Sequence, residues 1–154
     1  MKTTTKDVCA LEDHLGFWLR FVSNHVSGRF EKLIAAHGLT VSEWVALRTL
    51  YNKAESTHAE LIEALGMTKS AASKVVTRLE TKGLACRIST AHSAREQRIG
   101  LTAQGRSLVP VLASCADENE QFFFGHLDLT TKQALQQVMI DLTKQHQLTQ
   151  VPVE

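Results

Sequence analysis

Apolar positions recur at helical spacing over most of this chain, and at strand-like spacing over one short stretch. From about Asp7 to His37, Leu11, Leu15, Trp18, Val22, Val26, Phe30, Leu33 and Ile34 mark one side of a long helix, which Gly38 ends. Thr40 and Glu43 form a T-x-x-E capping box that opens a second helix to about Tyr51, with Trp44, Leu47 and Leu50 inward. Asn52 to Ser56 is polar and reads as a loop. Thr57 and Glu60 repeat the capping box, Leu61, Ala64 and Leu65 supply an apolar face, and Gly66 suits the left-handed residue after a helix end. Thr68 is placed to cap the next helix, in which Ala72, Val75, Val76 and Leu79 point inward and which Gly83 closes. The period then changes. Leu84–Ile88 and Gln97–Leu101 predict two short strands around a polar tip, Ser89 to Glu96. Thr102 caps a long helix striped by Leu108, Leu112, Cys115 and Phe122, and Pro110 inside it predicts a kink or a broken first turn. Gly125 to Leu129 reads as a turn, and Thr130 with Gln133 as the capping box of a last helix carrying Leu135, Val138, Met139 and Leu142.

The two central helices, with a tight turn between them and a ribbon behind, predict a helix-turn-helix with a wing. On the second of these helices Lys69, Ser70, Ser73, Lys74, Thr77 and Arg78 fall largely opposite the apolar face, and none is a carboxylate. Short hydroxyls let a helix approach base edges, and cations pair with phosphates. The same pattern also suits an ordinary solvated helix face. The ribbon tip carries His92 and Arg95, as a projecting basic probe of a minor groove would.

Charge distribution sharpens this picture. Thr68 to Arg98 holds seven basic and two acidic residues, a net of +5, whereas the whole chain is +1 and the remainder therefore −4. Positive potential is gathered where the reading elements are predicted.

Together these motifs resemble the MarR family of winged-helix regulators. The resemblance rests on Leu65-Gly66-Met67-Thr68-Lys69-Ser70, on Val75 to Leu84, and on Leu101-Thr102-Ala103-Gln104-Gly105, and runs from about Leu11 to His146. It implies a mainly α fold with a small β-wing. A winged helix-turn-helix lobe spans 40–102, and a helical dimerisation region is built from both chain ends, 7–37 and 103–148, of a single domain. It further implies a cytoplasmic homodimer that binds a pseudo-palindromic double-stranded DNA operator, more often as repressor than activator. Thr68, Lys69, Ser70, Ser73, Lys74, Thr77 and Arg78 would read or grip the major groove, with His92 and Arg95 at the wing. One departure stands in that wing: Ser93 occupies the position of the aspartate that buttresses the family's wing arginine.

A dimer is also what the residues ask for. The terminal helices carry apolar stripes with no partner in a winged-helix core, and Phe122-Phe123-Phe124 is too apolar to face water. The alternative is that the three phenylalanines pack locally between the last two helices. The family's habit of binding aromatic acids between the dimer body and the DNA-binding lobe points to His14, Trp18 and Phe21 on the first helix with Trp44 and Arg48 on the second. Both tryptophans equally suit a core.

Length and composition leave few other classes. The chain has 154 residues, 44% hydrophobic and 21% charged, which is ordinary for one globular domain. It has no apolar run able to span a bilayer and no secretory leader pattern. Cys9, Cys86 and Cys115 are scattered, without C-x-x-C, as in a reducing compartment; Cys86 and Cys115 read as core. Seven histidines show no H-x-x-x-H spacing, and no hydrolase or P-loop motif is present, so neither an enzyme nor a cofactor is expected. A redox- or metal-responsive regulator on the same scaffold is the alternative. The first helix resembles that of the organic-hydroperoxide sensors, but Gly16 stands at their reactive cysteine and Arg20 and Phe30 near their assisting tyrosines, which leaves Cys9 as the thiol to consider.

Overall fold

A computed structural model describes residues 8–88 and 97–149 of the chain. Among them, six helices and three short strands follow in the order α1 (Leu15–Ala35), α2 (Val41–Tyr51), β1 (Ser56–Thr57), α3 (His58–Leu65), α4 (Lys69–Thr81), β2 (Ala85–Ile88), β3 (Arg98–Leu101), α5 (Ala103–Phe124) and α6 (Leu129–Gln145). This is the mainly α fold with a small β-wing that the sequence predicts. The antiparallel sheet has the order β1-β3-β2 and pairs Arg87 with Ile99 and Ser56 with Ile99 across the central strand.

Local chemistry explains most element ends. The Thr40 and Thr57 side chains accept hydrogen bonds from Glu43 N–H and Glu60 N–H, and each glutamate reaches back to its threonine N–H, so both capping boxes are formed. Gly66 closes α3 at φ 61°, a left-handed conformation that costs glycine nothing. Gly105 has a different task. A Cβ there would run into the Leu84 carbonyl. That carbonyl accepts the Thr102 N–H at 3.1 Å, while Thr102 Oγ1 donates to Gly83 O at 2.6 Å. The L-T-x-x-G run is thus a seam that locks the start of α5 onto the corner between α4 and β2.

The core lies in the half built from α2 to β3. Leu47 and Leu50 of α2, Leu61 and Leu65 of α3, Val75, Val76 and Leu79 of α4, and Ile99 of β3 are all buried, joined by Ile34 from the end of α1 and Val109 and Leu112 from α5. The α2, α3 and α4 residues among them are the inward positions that the helical period selects; on α5 the buried pair is Val109 and Leu112, while Phe122 of the expected stripe is exposed.

Several expectations need correction. Asp7 lies outside the described residues, and a 3-10 turn, Leu11–Asp13, precedes α1. The α1 stripe, expected to lack a partner within one chain, buries only Ile34, and Leu11, Leu15, Trp18 and Val22 are exposed. Pro110 does not break α5, which runs continuously from Ala103 to Phe124. The cap of α6 is Asp128, whose side chain accepts from Thr131 N–H at 2.8 Å, so Thr130 lies inside the helix. Its hydrogen bonds with Thr131 hold the Asp128 carboxyl below its ordinary pKa. Cys86 is exposed on β2 and not in the core. Ser56, expected at a loop end, and Thr57, the cap of α3, form a third strand because β3 offers a second edge.

Candidate nucleic-acid interface

The second helix of the helix-turn-helix begins at Thr68, whose hydroxyl accepts from Ala71 N–H at 3.2 Å. With Ala72, Val75, Val76 and Leu79 buried against α2 and α3, the helix can present only its other side to solvent. Thr68, Lys69, Ser70, Lys74, Thr77 and Arg78 are exposed there, and Ser73 is half-buried. Ser73 sits lower because its Oγ shares a 2.8 Å hydrogen bond with Nε2 of His58, the first residue of α3. Thr77 Oγ1 donates back to Ser73 O at 2.9 Å and accepts from Arg87 on β2 at 3.3 Å. The hydroxyls of this face are therefore oriented, not loose.

The basic residues divide into two groups. Arg78 and Lys82 both bind the Glu43 carboxylate, at 3.2 and 2.8 Å. Arg87 pairs with Glu80 at 2.7 Å, and Arg98 with Glu55 at 2.7 Å. Among the described cations from Lys69 to Arg98, only Lys69 and Lys74 make no ion pair. Much of the +5 excess counted along the sequence is offset in space by Glu43 and Glu55, which lie outside that stretch. Full positive charge is left at the amino-terminal half of α4, where the helix dipole adds to it. His92 and Arg95 lie outside the described residues.

Five further positions, expected to form a small-molecule pocket, fall into two clusters within one chain. Trp18 Nε1 donates to Glu12 O at 2.8 Å, and its ring meets Phe17 and Phe21 edge-on. His14 lies beside them, with Nδ1 3.1 Å from Ala10 O. Trp44 instead meets Phe30 edge-on at 6.4 Å, and Arg48 donates to Asn52 Oδ1 at 3.0 Å. Phe30 lies twelve residues beyond Trp18 on α1, so the clusters stand about 18 Å apart along that helix.

Sequence reading missed Glu43, His58, Lys82 and Glu55 as parts of this face. Glu43 was legible only as a capping residue. Its second use depends on where α4 crosses α2, which no local pattern encodes. Of the thiols, Cys9 is exposed, and Cys115 lies 3.5 Å from His37 Nε2. Burial and the Glu118 charge push the Cys115 thiol pKa up, which works against a reactive thiolate. Among the described residues, no three His, Cys, Asp or Glu side chains converge as metal ligands would.

A trihelical core, an outward hydroxyl-and-lysine helix and a three-stranded wing sheet define a winged helix-turn-helix DNA-binding protein. The MarR family model matches residues 37–96, from the turn before α2 to the segment before β3. Solved structures carry the likeness over most of the chain. CouR from Rhodococcus jostii, bound to p-coumaroyl-CoA, superimposes with a TM-score of 0.77 at 25% identity, over 94% of this chain and 99% of that one. MepR of S. aureus in complex with DNA gives a TM-score of 0.76 at 23% identity, over 86% and 98%. The transcriptional regulator HosA of Escherichia coli is 26% identical over 101 residues, 66% of this chain and 75% of that protein. The chain is thus similar to MarR-family transcriptional regulators, in sequence over its central part and in fold over most of its length.

Proposed function

We propose that this protein is a homodimeric repressor that binds a pseudo-palindromic operator and releases it on binding a small aromatic or phenolic ligand. The observation that carries the reading is the outward face of α4. Thr68, Lys69, Ser70, Lys74 and Thr77 are exposed with no carboxylate among them, next to the wing strands. Lys69 and Lys74 supply phosphate contacts, while Ser70, Ser73 and Thr77 approach base edges. His92 and Arg95 take the minor groove. Arg78 shares the face but is drawn towards Glu43.

The dimer follows from unpaired apolar surface. Helix α6 has no buried residue, and Val138, Met139 and Leu142 are 56%, 44% and 43% exposed. Trp18 and Phe21 on α1 and Phe122 on α5 are also exposed. In water such helices need a partner, and a second copy covers both chain ends while setting two α4 helices about one turn of DNA (~34 Å) apart. The regions 7–37 and 103–148 are then the dimerisation body of one domain, and 40–102 is its reading lobe. Solved relatives support both halves of this reading: MepR is seen with DNA and CouR with p-coumaroyl-CoA. A pocket that uses His14, Trp18 and Phe21 together with Trp44 and Arg48 needs the partner copy to bring the two clusters together. No helix among the described residues is long and apolar enough to cross a membrane, and a cytoplasmic location fits this role.

Fluorescence anisotropy tests the proposal, comparing a duplex from upstream of the protein's own gene with a scrambled one. A preference of about a thousandfold or more, one dimer per duplex, is expected of a specific regulator. Equal weak binding to both duplexes would remove that operator from the proposal. Quenching of tryptophan fluorescence by an aromatic acid, with matching release of DNA, tests the ligand.

A further inference from the structure

Among the described residues, Glu43 is the one charged side chain wholly out of solvent. Its carboxylate is closed in from three directions. Oε2 accepts from Thr40 N–H at 3.0 Å and from Lys82 Nζ at 2.8 Å. Oε1 accepts from Arg78 Nε at 3.2 Å. Lys82 Nζ also donates to Gly38 O at 2.7 Å. One carboxylate thus joins the start of α2, the turn between α1 and α2, and the carboxyl-terminal end of α4.

A capping box needs only the first of these contacts. The other two are drawn from the DNA-reading helix and the residue that ends it. Arg78 and Lys82 keep 49% and 35% of their side-chain surface exposed, so both could turn outward if the carboxylate did not hold them. A cation engaged in this way is lost to phosphate. Phosphate grip is blind to sequence, and each cation withheld from it lowers non-specific affinity without touching base readout.

We infer that Glu43 is a specificity-determining positioning residue. It anchors α4 to the α1–α2 corner and withholds Arg78 and Lys82 from the DNA backbone. Sequence-blind grip is left to the amino-terminal half of α4 and to the wing. This rests on the DNA-binding reading above, and the test separates the two.

The measurement is the salt dependence of binding to a mixed-sequence duplex by the full-length protein and its Glu43→Gln variant. Glutamine can still serve the capping box but releases both cations. The variant is expected to bind the mixed duplex more tightly at low salt. Its slope of log K against log salt should steepen by up to about 1.8 per lobe, from two cations at about 0.9 each. Equal slopes for two folded, binding proteins would overturn the inference. Lys82→Gln and Arg78→Gln keep it falsifiable should Glu43→Gln fail to fold. Cations already withheld leave the slope unchanged when removed, so a loss of about 0.9 per lobe in either variant would overturn it. No salt-dependent binding by the natural protein would instead defeat the DNA reading itself, and the inference with it.

Discussion

His58 Nε2 and Ser73 Oγ lie 2.8 Å apart, and that hydrogen bond ties the first residue of α3 to the middle of the reading helix. His58 Nδ1 is buried without a partner among the described residues. Burial chiefly, and then the Arg87 and Lys69 charges, hold the His58 pKa below its ordinary 6.5. A neutral imidazole here acts as a fixed prop for a hydroxyl on the outward side of α4.

A pH dependence follows from that depression. Below the ordinary histidine pKa the unfolded chain takes up more protons at this site than the folded one. The contribution of His58 is therefore complete above about pH 6.5 and declines as pH falls through and below that value. Chemical denaturation at neutral and mildly acidic pH should show the natural protein losing more stability than His58→Gln. Parallel losses would remove the effect. Ser73→Ala should alter base preference in a panel of duplexes and leave the salt slope alone.

Gly105 gives a prediction about stability without DNA. A methyl group there meets the Leu84 carbonyl, so Gly105→Ala must push α5 away from the α4–β2 corner. Overpacking of this kind costs roughly 1–3 kcal/mol. A shift of the urea midpoint much smaller than this would show that the seam yields easily.

Lys69 and Lys74 should carry most of the electrostatic grip of α4, because the other described cations from Arg78 to Arg98 are in ion pairs. Changing either to alanine should reduce the salt slope by about 0.9 per lobe and weaken binding to all duplexes alike. Sequence-selective loss from either change would mean that the lysine reads a base.

The exposed stripe of α6 tests the dimer. Val138→Glu or Met139→Glu places a charge on a surface that the second copy would cover. Sedimentation should show dissociation, and operator affinity should fall with it, since one lobe reads only a few base pairs. A variant still dimeric with unchanged affinity would place the interface elsewhere.

The helix caps show how far local reading goes. Thr40, Thr57, Thr68 and Thr102 all cap the helices expected of them, since a cap is a contact between residues three apart. The failure at α6 is instructive: Asp128 and Thr130 both offer an acceptor near the helix start, and the turn after α5 decides between them. Pro110 does not end α5, which runs on to Phe124. It removes one backbone donor from a helix of 22 residues.

By itself the sequence determined the order of the six helices and the two wing strands, the buried face of each central helix and the hydroxyl-and-lysine side of α4. These depend on period and on neighbours a few residues away. Only the tertiary structure decided which cations remain free. Glu43 lies thirty-five residues from Arg78 and thirty-nine from Lys82, and His58 fifteen from Ser73, so their pairing depends on helices crossing in space. The same holds for α1 and α6, whose apolar stripes read as surfaces in need of a partner and face outward in a single chain. Periodicity marks the side of a helix that must be buried; what buries it is settled by packing between elements and, in a dimer, between chains.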